Sequence, residues 1–319
     1  MLSRIEFTNY RSFLDVKVNL APFTLLIGAN GSGKSNFLRF FYYMDTINYY
    51  VNELIENSKH FNHQNKPQFI RICTVAGDDI TINSKSHDND YLDLINTLLR
   101  LQRILSKLQV GLFTLNTLAL DNPEQIQAGG KIASDGQGII SLLDDLRTGD
   151  REDLFYEIQA NWIHYIPSIE KLSLRTAEPG KKSLQVREKG IKKYFPVAKL
   201  SEGTKLILMI LTILYQENPP KLILLEDIDR GLHPRLFQKV VEMLRDIVKT
   251  KDIQIIATTH NPYLIDEFAG EEESVLIVEK QNAVSTITSL AERLDEGNTM
   301  EDALGSLWFS GFFGGVPKS

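Results

Sequence analysis

The sequence has little of what several protein classes require. Cys73 is the only cysteine among 319 residues, which excludes a disulfide scaffold within the chain. The 20 glycines and 11 prolines are too few for a collagen-like or low-complexity chain. The longest apolar run, 206–214, is about half of the roughly 20 residues that a membrane-spanning helix needs, so no membrane segment is predicted.

Charge and apolar content are those of an ordinary globular protein. Hydrophobic residues make up 43% of the chain, which argues against intrinsic disorder. The 35 basic and 41 acidic side chains give a net charge of −6, which argues against a uniformly basic surface but allows a local basic patch. Residues 1–6 lack the hydrophobic core of a secretion signal, so a cytoplasmic location is expected.

Short apolar runs alternate with helical patterns along both ends of the chain. Continuous apolar runs predict buried strands at 23–28, 221–225, 253–258 and 275–279. Amphipathic or apolar patterns predict helices from Gly33 onward, at 90–108, 139–162, 202–217 and 234–250. This order predicts an α/β fold with a mostly parallel sheet flanked by helices. Strands at 2–8 and 13–20 add an N-terminal antiparallel part, and further strands are expected at 69–83 and 163–198.

Residues 28–35 carry the strongest chemical signal. They read Gly-Ala-Asn-Gly-Ser-Gly-Lys-Ser and match G-x-x-x-x-G-K-[ST] between a predicted strand and a predicted helix. Glycines let successive amides point into one concavity that binds phosphate oxygens, and the helix adds its positive end. Lys34 would reach the β- and γ-phosphates, and the hydroxyl of Ser35 would bind magnesium. The alternative is a simple glycine-rich turn before a helix.

This P-loop (residues 28–35) therefore predicts ATP and Mg²⁺ as cofactors. The expected nucleotide contacts are Gly28, Asn30, Gly31, Ser32, Gly33, Lys34, Ser35 and Asn36.

Two carboxylates follow a second buried strand. The apolar residues 222–225 lead directly into Glu226 and Asp227, at the strand end where open α/β sheets bind ligands. Together with the P-loop, this pair predicts a site for the magnesium ion and the attacking water. The alternative is a strand that ends in a solvated acidic turn.

Four further segments resemble parts of RecF/SMC-like and OLD-like, ABC-type AAA ATPases. Residues 200–205, Leu-Ser-Glu-Gly-Thr-Lys, resemble the LSGGQ signature of ATP-binding-cassette ATPases, and 229–234, Asp-Arg-Gly-Leu-His-Pro, resemble the segment after the Walker B strand. Residues 258–262, Thr-Thr-His-Asn-Pro, resemble the switch histidine segment, and 7–13 resemble the N-terminal hairpin of the group. The segments follow the order of the family and extend over nearly the whole chain.

The resemblance implies an ATPase that sandwiches two ATPs in a head-to-tail homodimer. Ser201 and Gly203 of one subunit would then dock on the γ-phosphate held by the other. His260 would contact the γ-phosphate or the attacking water, and Arg11 would approach the adenine or the phosphates. The plainer alternatives are a helix cap at Ser201, a structural histidine at His260 and an exposed turn arginine at Arg11.

The sequence also departs from the family. The usual acidic pair is Asp-Glu, whereas here Glu226 would take the magnesium role and Asp227 the catalytic one. Because aspartate is one methylene shorter, and a misplacement near 1 Å can cost about a hundredfold in rate, slow hydrolysis is expected. The magnesium-contacting glutamine of the family is not identifiable, with Gln68 and Gln137 as weak candidates.

The organisation follows from the spacing of these segments. No long heptad run separates the P-loop from the signature segment, so no long coiled coil is expected. We predict a single ATPase head over 1–319, with 1–60 and 195–290 forming the nucleotide-binding core. Residues 61–194 would form an inserted lid, and 291–319 a C-terminal tail.

Two functions remain open at this stage. In the first, the ATPase regulates a separate effector, such as a nuclease or TOPRIM-type protein, because bacterial proteins that resemble this layout often belong to phage-defence modules. In the second, it is a RecF-like genome-maintenance ATPase that contacts DNA through 181–193, where six basic side chains face one acidic. That segment would otherwise be a solvated hairpin. The acidic run 271–273 is more typical of a solvated loop than of a metal site. The aromatic residues of 307–317 form a partner surface or are buried by the chain itself.

Overall fold

The structure is a computed structural model that describes residues 1–45, 68–74, 79–84, 107–295 and 303–316. The chain divides into two compact units, which we call the first and the second unit. The first unit comprises Met1–Leu112, Pro220–Ile228 and Leu244–Ser319, and the second comprises Phe113–Pro219 and Asp229–Met243. The predicted helix at 90–108 lies outside the described residues except at its last two positions. The division into core, lid and tail stays a prediction.

The described residues form the following strands and helices. The strands are β1 (Leu2–Tyr10), β2 (Phe13–Asn19), β3 (Phe23–Ile27), β4 (Gln68–Thr74), β5 (Asp79–Ser84), β6 (Val110–Phe113), β7 (Glu124–Gln125), β8 (Ile169–Glu178), β9 (Lys181–Glu188), β10 (Phe195–Pro196), β11 (Leu222–Leu225), β12 (Gln254–Thr258), β13 (Val275–Gln281) and β14 (Val284–Ser289). The helices are α1 (Lys34–Asp45), α2 (Ile139–Thr148), α3 (Glu152–Tyr165), α4 (Glu202–Tyr215), α5 (Phe237–Lys251), α6 (Pro262–Asp266), α7 (Leu290–Asp295) and α8 (Leu304–Phe309).

A ten-stranded sheet has the order β5-β4-β1-β2-β14-β13-β3-β12-β11-β6. The neighbours β13, β3, β12 and β11 run parallel, whereas β5, β4, β1 and β2 form an antiparallel end. The fold class predicted from the sequence is confirmed: an α/β fold with a large, mostly parallel sheet, flanking helices and additional antiparallel strands.

Burial explains why the central strands are continuous apolar runs. Every residue of β3, β11 and β12 is buried, as expected where both faces of a parallel sheet are covered. Because these three strands are parallel neighbours, their carboxyl ends meet at one edge of the sheet. The P-loop, the Glu226–Asp227 pair and the segment 258–262 follow those ends, so the topology brings them together.

The second unit contains a long antiparallel hairpin, β8–β9, and the helices α2, α3 and α4. Pro179 and Gly180 join the two hairpin strands. The region predicted as helical, 139–162, contains two helices: α2 ends at Thr148 and α3 begins at Glu152. Gly149, at φ −95° and ψ −163°, has left the helical region and ends the first helix.

The most apolar helix of the second unit is α4, in which Gly203 to Leu214 are all buried. It has 14 residues. Within the part of the chain that the structure describes, no helix combines the length and apolar character that a membrane crossing requires.

Candidate nucleotide-binding site

The P-loop connects the buried strand β3 to helix α1 and presses closely on two neighbouring strands. Gly28 has φ +153°, and a Cβ there would lie 2.2 Å from the carbonyl oxygen of Val278 in β13. Gly33 has φ +124°, and a Cβ there would lie 2.9 Å from the Oγ of Ser285 in β14. Only glycine satisfies both the backbone conformation and the close approach at these two positions.

Lys34 is nearly buried at the start of α1, with 6% of the residue exposed. Its Nζ donates hydrogen bonds to the carbonyl oxygens of Gly28, at 2.7 Å, and Ala29, at 3.0 Å. Burial lowers the pKa of Lys34 to about 8, while the carboxylates of Asp227 and Glu226 oppose this by favouring the charged amine. The loop therefore holds a desolvated cation that an anionic ligand would stabilise.

The acidic pair lies at the carboxyl end of β11, as its sequence position predicts. Asp227 adopts a left-handed backbone conformation, with φ +51°, which aspartate tolerates better than most residues. Its amide donates to the Oγ1 of Thr258 at 2.9 Å, and the amide of Ile228 donates to the carbonyl oxygen of Thr258 at 3.1 Å. The last residue of β12 thus fixes the backbone that carries the carboxylate.

The switch segment (residues 258–262) continues from β12 along the same edge. The amide of Thr259 donates to the carbonyl oxygen of Leu26 in β3, and its Oγ1 accepts from the amide of Asn261. The Oδ1 of Asn261 in turn caps α6 by accepting from the amide of Tyr263. These bonds hold both sides of His260, whose Nε2 lies 3.7 Å from the Oδ1 of Asp227.

These elements enclose a cavity of about 270 Å³ in the first unit. Its lining residues are Asn30, Gly31, Gly33, Lys34, Ser35, Asn36, Glu226, Asp227, Thr258 and His260. Gly28 and Ser32, also expected as contacts, belong to the P-loop but do not line the cavity. Arg11 does not line it either, but its guanidinium donates to the Oδ1 of Asn36 at 3.2 Å.

The residues at this cavity fit a nucleotide phosphate and a magnesium ion. The loop amides and the start of α1 suit an anion, and the hydroxyl of Ser35 with the carboxylates of Glu226 and Asp227 are the oxygen donors that Mg²⁺ prefers. Ser32 is 3% exposed, and no hydrogen-bond partner for its buried hydroxyl is found within the described residues. When bound, Mg²⁺ neutralises charge on the phosphate oxygens.

The signature segment (residues 200–205) opens helix α4 in the second unit. The Oγ of Ser201 accepts from the amide of Thr204 at 3.3 Å, so Ser201 is a helix cap. Gly203 packs against the following segment, since a Cβ there would lie 2.9 Å from the carbonyl oxygen of Gly231. The cap agrees with both interpretations of Ser201, because a capped helix start can still face an anion.

Two contacts that sequence reasoning missed anchor the signature segment. The indole Nε1 of Trp162, fully buried in α3, donates to the carbonyl oxygen of Thr204 at 3.0 Å. The ammonium of Lys205, 3% exposed, lies 2.8 Å from the Oδ1 of Asp121. Neither partner has a sequence signal, because both come from distant parts of the second unit.

The weak glutamine candidates for the magnesium contact lie elsewhere. Gln68 begins strand β4, and Gln137 precedes helix α2 in the second unit. Neither is among the residues that line the 270 Å³ cavity.

Three of the six basic side chains of the segment 181–193 pair with neighbouring acids of the second unit. Within the described residues, the ion pairs of this segment are Lys181–Glu178, Lys182–Asp144 and Arg187–Glu170. Lys189, Lys192 and Lys193 are exposed. Glu272 and Glu273 of the acidic run lie in a short 3₁₀ helix that Glu271 precedes, and the described residues contain no cluster of side chains suited to a metal ion.

The C-terminal aromatic segment divides into a buried and an exposed part. Leu304, Trp308 and Phe313 are buried, whereas Phe309 is 79% and Phe312 is 50% exposed. The chain itself therefore buries part of this segment, and a partner surface at the exposed part stays a prediction.

The fold and the cavity define a P-loop ATPase, and comparison with known proteins gives its family. The model "AAA ATPase domain" matches residues 1–117, and the model "AAA domain, putative AbiEii toxin, Type IV TA system" matches residues 126–266. The chain is therefore an ATPase with AAA-type domains, and its motifs resemble those of SMC/RecF-like, ABC-type ATPases. None of the curated proteins matches it.

Solved structures of SMC heads resemble the chain. An SMC head bound to the C-winged helix domain of ScpA has a TM-score of 0.52 at 14% identity, covering 90% of this chain and 97% of that one. The SMC head domain from Thermotoga maritima has a TM-score of 0.49 at 15% identity, covering 90% and 98%. An SMC head from Pyrococcus furiosus with the C-terminal domain of ScpA has a TM-score of 0.48 at 13% identity, covering 93% and 98%. The first of these shows the SMC-head-like fold.

Proposed function

We propose that this ATPase forms an ATP-sandwich homodimer and thereby regulates a separate effector, such as a nuclease or TOPRIM-type protein, in bacterial phage defence. The observation that best supports the proposal is that one cavity of about 270 Å³ is lined by the P-loop, the acidic pair and the switch histidine. In the proposal, ATP with Mg²⁺ acts as the ligand that joins two copies, and hydrolysis releases them.

The chemistry of each residue in the cavity suggests its role in binding and hydrolysing ATP. The P-loop amides and Lys34 would hold the phosphates, and Ser35 with Glu226 would hold the magnesium ion. Asp227 would orient the attacking water, and His260 would contact the γ-phosphate. The short Asp227 side chain favours slow hydrolysis, which would give the ATP-bound dimer a long lifetime.

The second copy would contribute the start of α4. Ser201 caps the amide of Thr204, so the amides of Glu202 and Gly203 are the ones that the cap does not use. In the head-to-tail dimer these amides would face the γ-phosphate held by the other copy. The negative charge of Glu202 suits the helix dipole but repels an incoming phosphate. Dimerisation is therefore favoured only when Mg²⁺ offsets the negative charge of the phosphates.

Two observations support an effector over direct DNA binding. The ion pairs formed by Lys181, Lys182 and Arg187 remove half of the basic side chains that a DNA contact at 181–193 would use. The description of the family that matches residues 126–266 names a toxin and a type IV TA system, which fits a chain that works with a second protein better than one that works alone on DNA. The exposed Phe309 and Phe312 are available for such a partner.

The sandwich is tested by measuring molecular mass in solution with and without ATP and Mg²⁺. We expect a dimer for the wild type with ATP, and monomers for Lys34→Ala and Ser201→Arg. A mixture of these two variants restores one intact site, with the P-loop of one and the signature of the other, so it should recover dimers. Ser134→Arg, another exposed serine of the second unit, is the control and should dimerise normally. Wild-type protein that stays monomeric, or a mixture that fails to recover, contradicts the sandwich.

The effector role is tested in cells that carry the chain with its neighbouring genes. We expect protection against phage that Lys34→Ala abolishes, and a neighbouring gene product that binds the wild type only with ATP. Adjacent repair genes would favour the RecF-like alternative instead. The RecF-like alternative would also be favoured by DNA binding that weakens steeply with salt and is lost when Lys189, Lys192 and Lys193 become alanine.

A further inference from the structure

We propose that Ser285 is a positioning residue for the P-loop, and that its hydroxyl joins the loop to the turn between β1 and β2. The inference rests on the proposed binding of ATP by residues 28–35. Ser285 lies near the start of β14, far from the P-loop in sequence, and belongs to none of the motifs that identify the site.

The hydroxyl of Ser285 is buried between two separate segments, with 1% of the residue exposed. Its Oγ lies 2.6 Å from the carbonyl oxygen of Ser32 in the P-loop and 2.8 Å from the Oγ of Ser12 in the β1–β2 turn. The amide of Ser285 also donates to the carbonyl oxygen of Ser12, at 2.6 Å. One residue of β14 therefore bridges the turn and the loop.

Ser285 is the donor in both side-chain hydrogen bonds, to the carbonyl oxygen of Ser32 and to the Oγ of Ser12. A serine hydroxyl carries one proton, so the two acceptors share it. The position of this one hydroxyl therefore depends on the turn and on the loop together.

Ser285 also limits where the end of the P-loop can lie. A Cβ on Gly33 would lie 2.9 Å from the Oγ of Ser285 and 3.3 Å from the ring Cζ of Phe13. Gly33 immediately precedes Lys34, which begins helix α1 and lines the cavity. If Ser285 loses its bond to Ser32, the loop gains freedom at the position that sets the phosphate-binding amides.

The turn that holds Ser12 is tied to the nucleotide site a second time. Arg11, next to Ser12, has a left-handed backbone with φ +49° and donates to the Oδ1 of Asn36 in α1. Asn36 lines the cavity. The β1–β2 turn thus contacts both the P-loop, through Ser285, and the helix that follows it, through Arg11.

The test is a double-mutant cycle of Ser285→Ala and Ser12→Ala, read as ATP affinity by calorimetry. Ser285→Ala should weaken ATP binding about fivefold, the effect of one lost hydrogen bond. Ser12→Ala should weaken it less, and should add nothing once Ser285 is alanine, because Ser12 acts through that hydroxyl. The effect should appear in KM for ATP, with kcat nearly unchanged.

Ser141→Ala is the matched control for loss of a buried serine. Ser141 is 3% exposed in the second unit and makes two hydrogen bonds with the backbone of Gln127. Ser285→Ala that binds ATP as tightly as Ser141→Ala, or additive effects in the cycle, overturns the inference. If Ser285→Ala does not fold, the ATP affinity of Ser12→Ala is the test. A Ser12→Ala protein that binds ATP as tightly as Ser141→Ala also overturns the inference.

The same measurements separate this inference from the proposed function. Wild-type protein that binds ATP no better than Lys34→Ala overturns both. Weakened ATP binding by Ser285→Ala, together with wild-type protein that stays monomeric, overturns the sandwich dimer and supports the role of Ser285.

Discussion

The Nε2 of His260 lies 3.7 Å from the Oδ1 of Asp227, at the edge of the sheet where β11 and β12 end. This separation is slightly longer than a hydrogen bond, and both side chains are partly exposed, at 40% and 48%. The two groups are therefore close enough to act on one ligand without being locked to each other. Catalytic hydrogen bonds often tighten only when substrate is bound.

Replacement of Asp227 by asparagine tests the catalytic role proposed for its carboxylate. Asparagine keeps the shape of the side chain and tolerates the left-handed backbone at φ +51°, so folding should be retained. Loss of the charge should lower the hydrolysis rate by about 10² or more and leave ATP affinity within a few fold. The ATP-bound dimer should accumulate, which a mass measurement over time would detect.

The exposed residue Asp15 on β2 supplies the control, since Asp15→Asn removes a carboxylate of the same unit outside the cavity. Hydrolysis by Asp227→Asn at the rate of Asp15→Asn would exclude Asp227 as the catalytic carboxylate.

The hydrogen bond from the amide of Asp227 to the Oγ1 of Thr258 can be tested by replacing Thr258. Thr258→Val preserves side-chain volume but removes the acceptor, which typically costs about 1–3 kcal/mol in a buried site. We expect a lower kcat and a lower melting temperature, with ATP affinity less affected. Thr258→Ser keeps the acceptor and should restore kcat. If Thr258→Ser is as slow as Thr258→Val, the methyl group matters and the hydrogen bond does not.

The parts of the site that lie in one stretch of chain were predictable from the sequence. The P-loop and the pair Glu226–Asp227 each follow a buried strand directly. The apolar run therefore predicts the strand, and the residue types after it predict the site. Parallel pairing of β3, β12 and β11 then makes their meeting a consequence of topology.

The supporting contacts could not be predicted, because serine and threonine hydroxyls carry no periodic signal. Ser285 meets Ser12 across 273 positions and Ser32 across 253, through the pairing of β14 with β2. Strand β14 itself reads Val-Ser-Thr-Ile-Thr-Ser, and its hydroxyl-rich sequence gave no strand prediction. Thr258 was recognised only as a neighbour of His260, although its Oγ1 holds the amide of Asp227.

The lowered pKa of Lys34 predicts opposite pH trends for stability and ligand binding. Between about 8 and the ordinary value of 10.5 the unfolded chain binds the proton that the folded chain has lost, so this residue makes stability rise with pH in that window. ATP binding needs the charged amine, so affinity should fall as pH rises through about 8, by about tenfold at pH 9. The phosphates of ATP are fully ionised there, with a pKa near 6, and contribute no slope.

Calorimetry from pH 7 to 9.5 at constant ionic strength measures the affinity trend, and denaturant unfolding measures the stability trend. Lys34→Met has a side chain of similar length without the amine, so its stability should lack the rise that the wild type shows. Wild-type affinity that stays constant up to pH 9 would contradict a pKa near 8 in the free protein.

The tail packs against the P-loop, which changes what its removal should do. A Cβ on Gly315 would lie 3.6 Å from the Cα of Gly28, the first P-loop residue, and 2.8 Å from a methyl group of Ile277. The amide of Gly315 donates to the Oε1 of Glu279, and the other oxygen of that carboxylate lies 2.6 Å from the guanidinium of Arg293. The buried part of the tail is therefore a support for β13 and the P-loop.

Removal of residues 303–319 should consequently lower the melting temperature and weaken ATP binding together. It uncovers the apolar surface beneath Trp308 and frees Gly28 from its neighbour. Phe309→Ser is the contrasting variant, because a side chain that is 79% exposed contributes little to folding. It should leave melting and ATP affinity unchanged and impair only binding of the effector. A truncated chain that melts and binds ATP like the wild type would show that the tail serves the partner alone, since the P-loop would then hold its shape without Gly315.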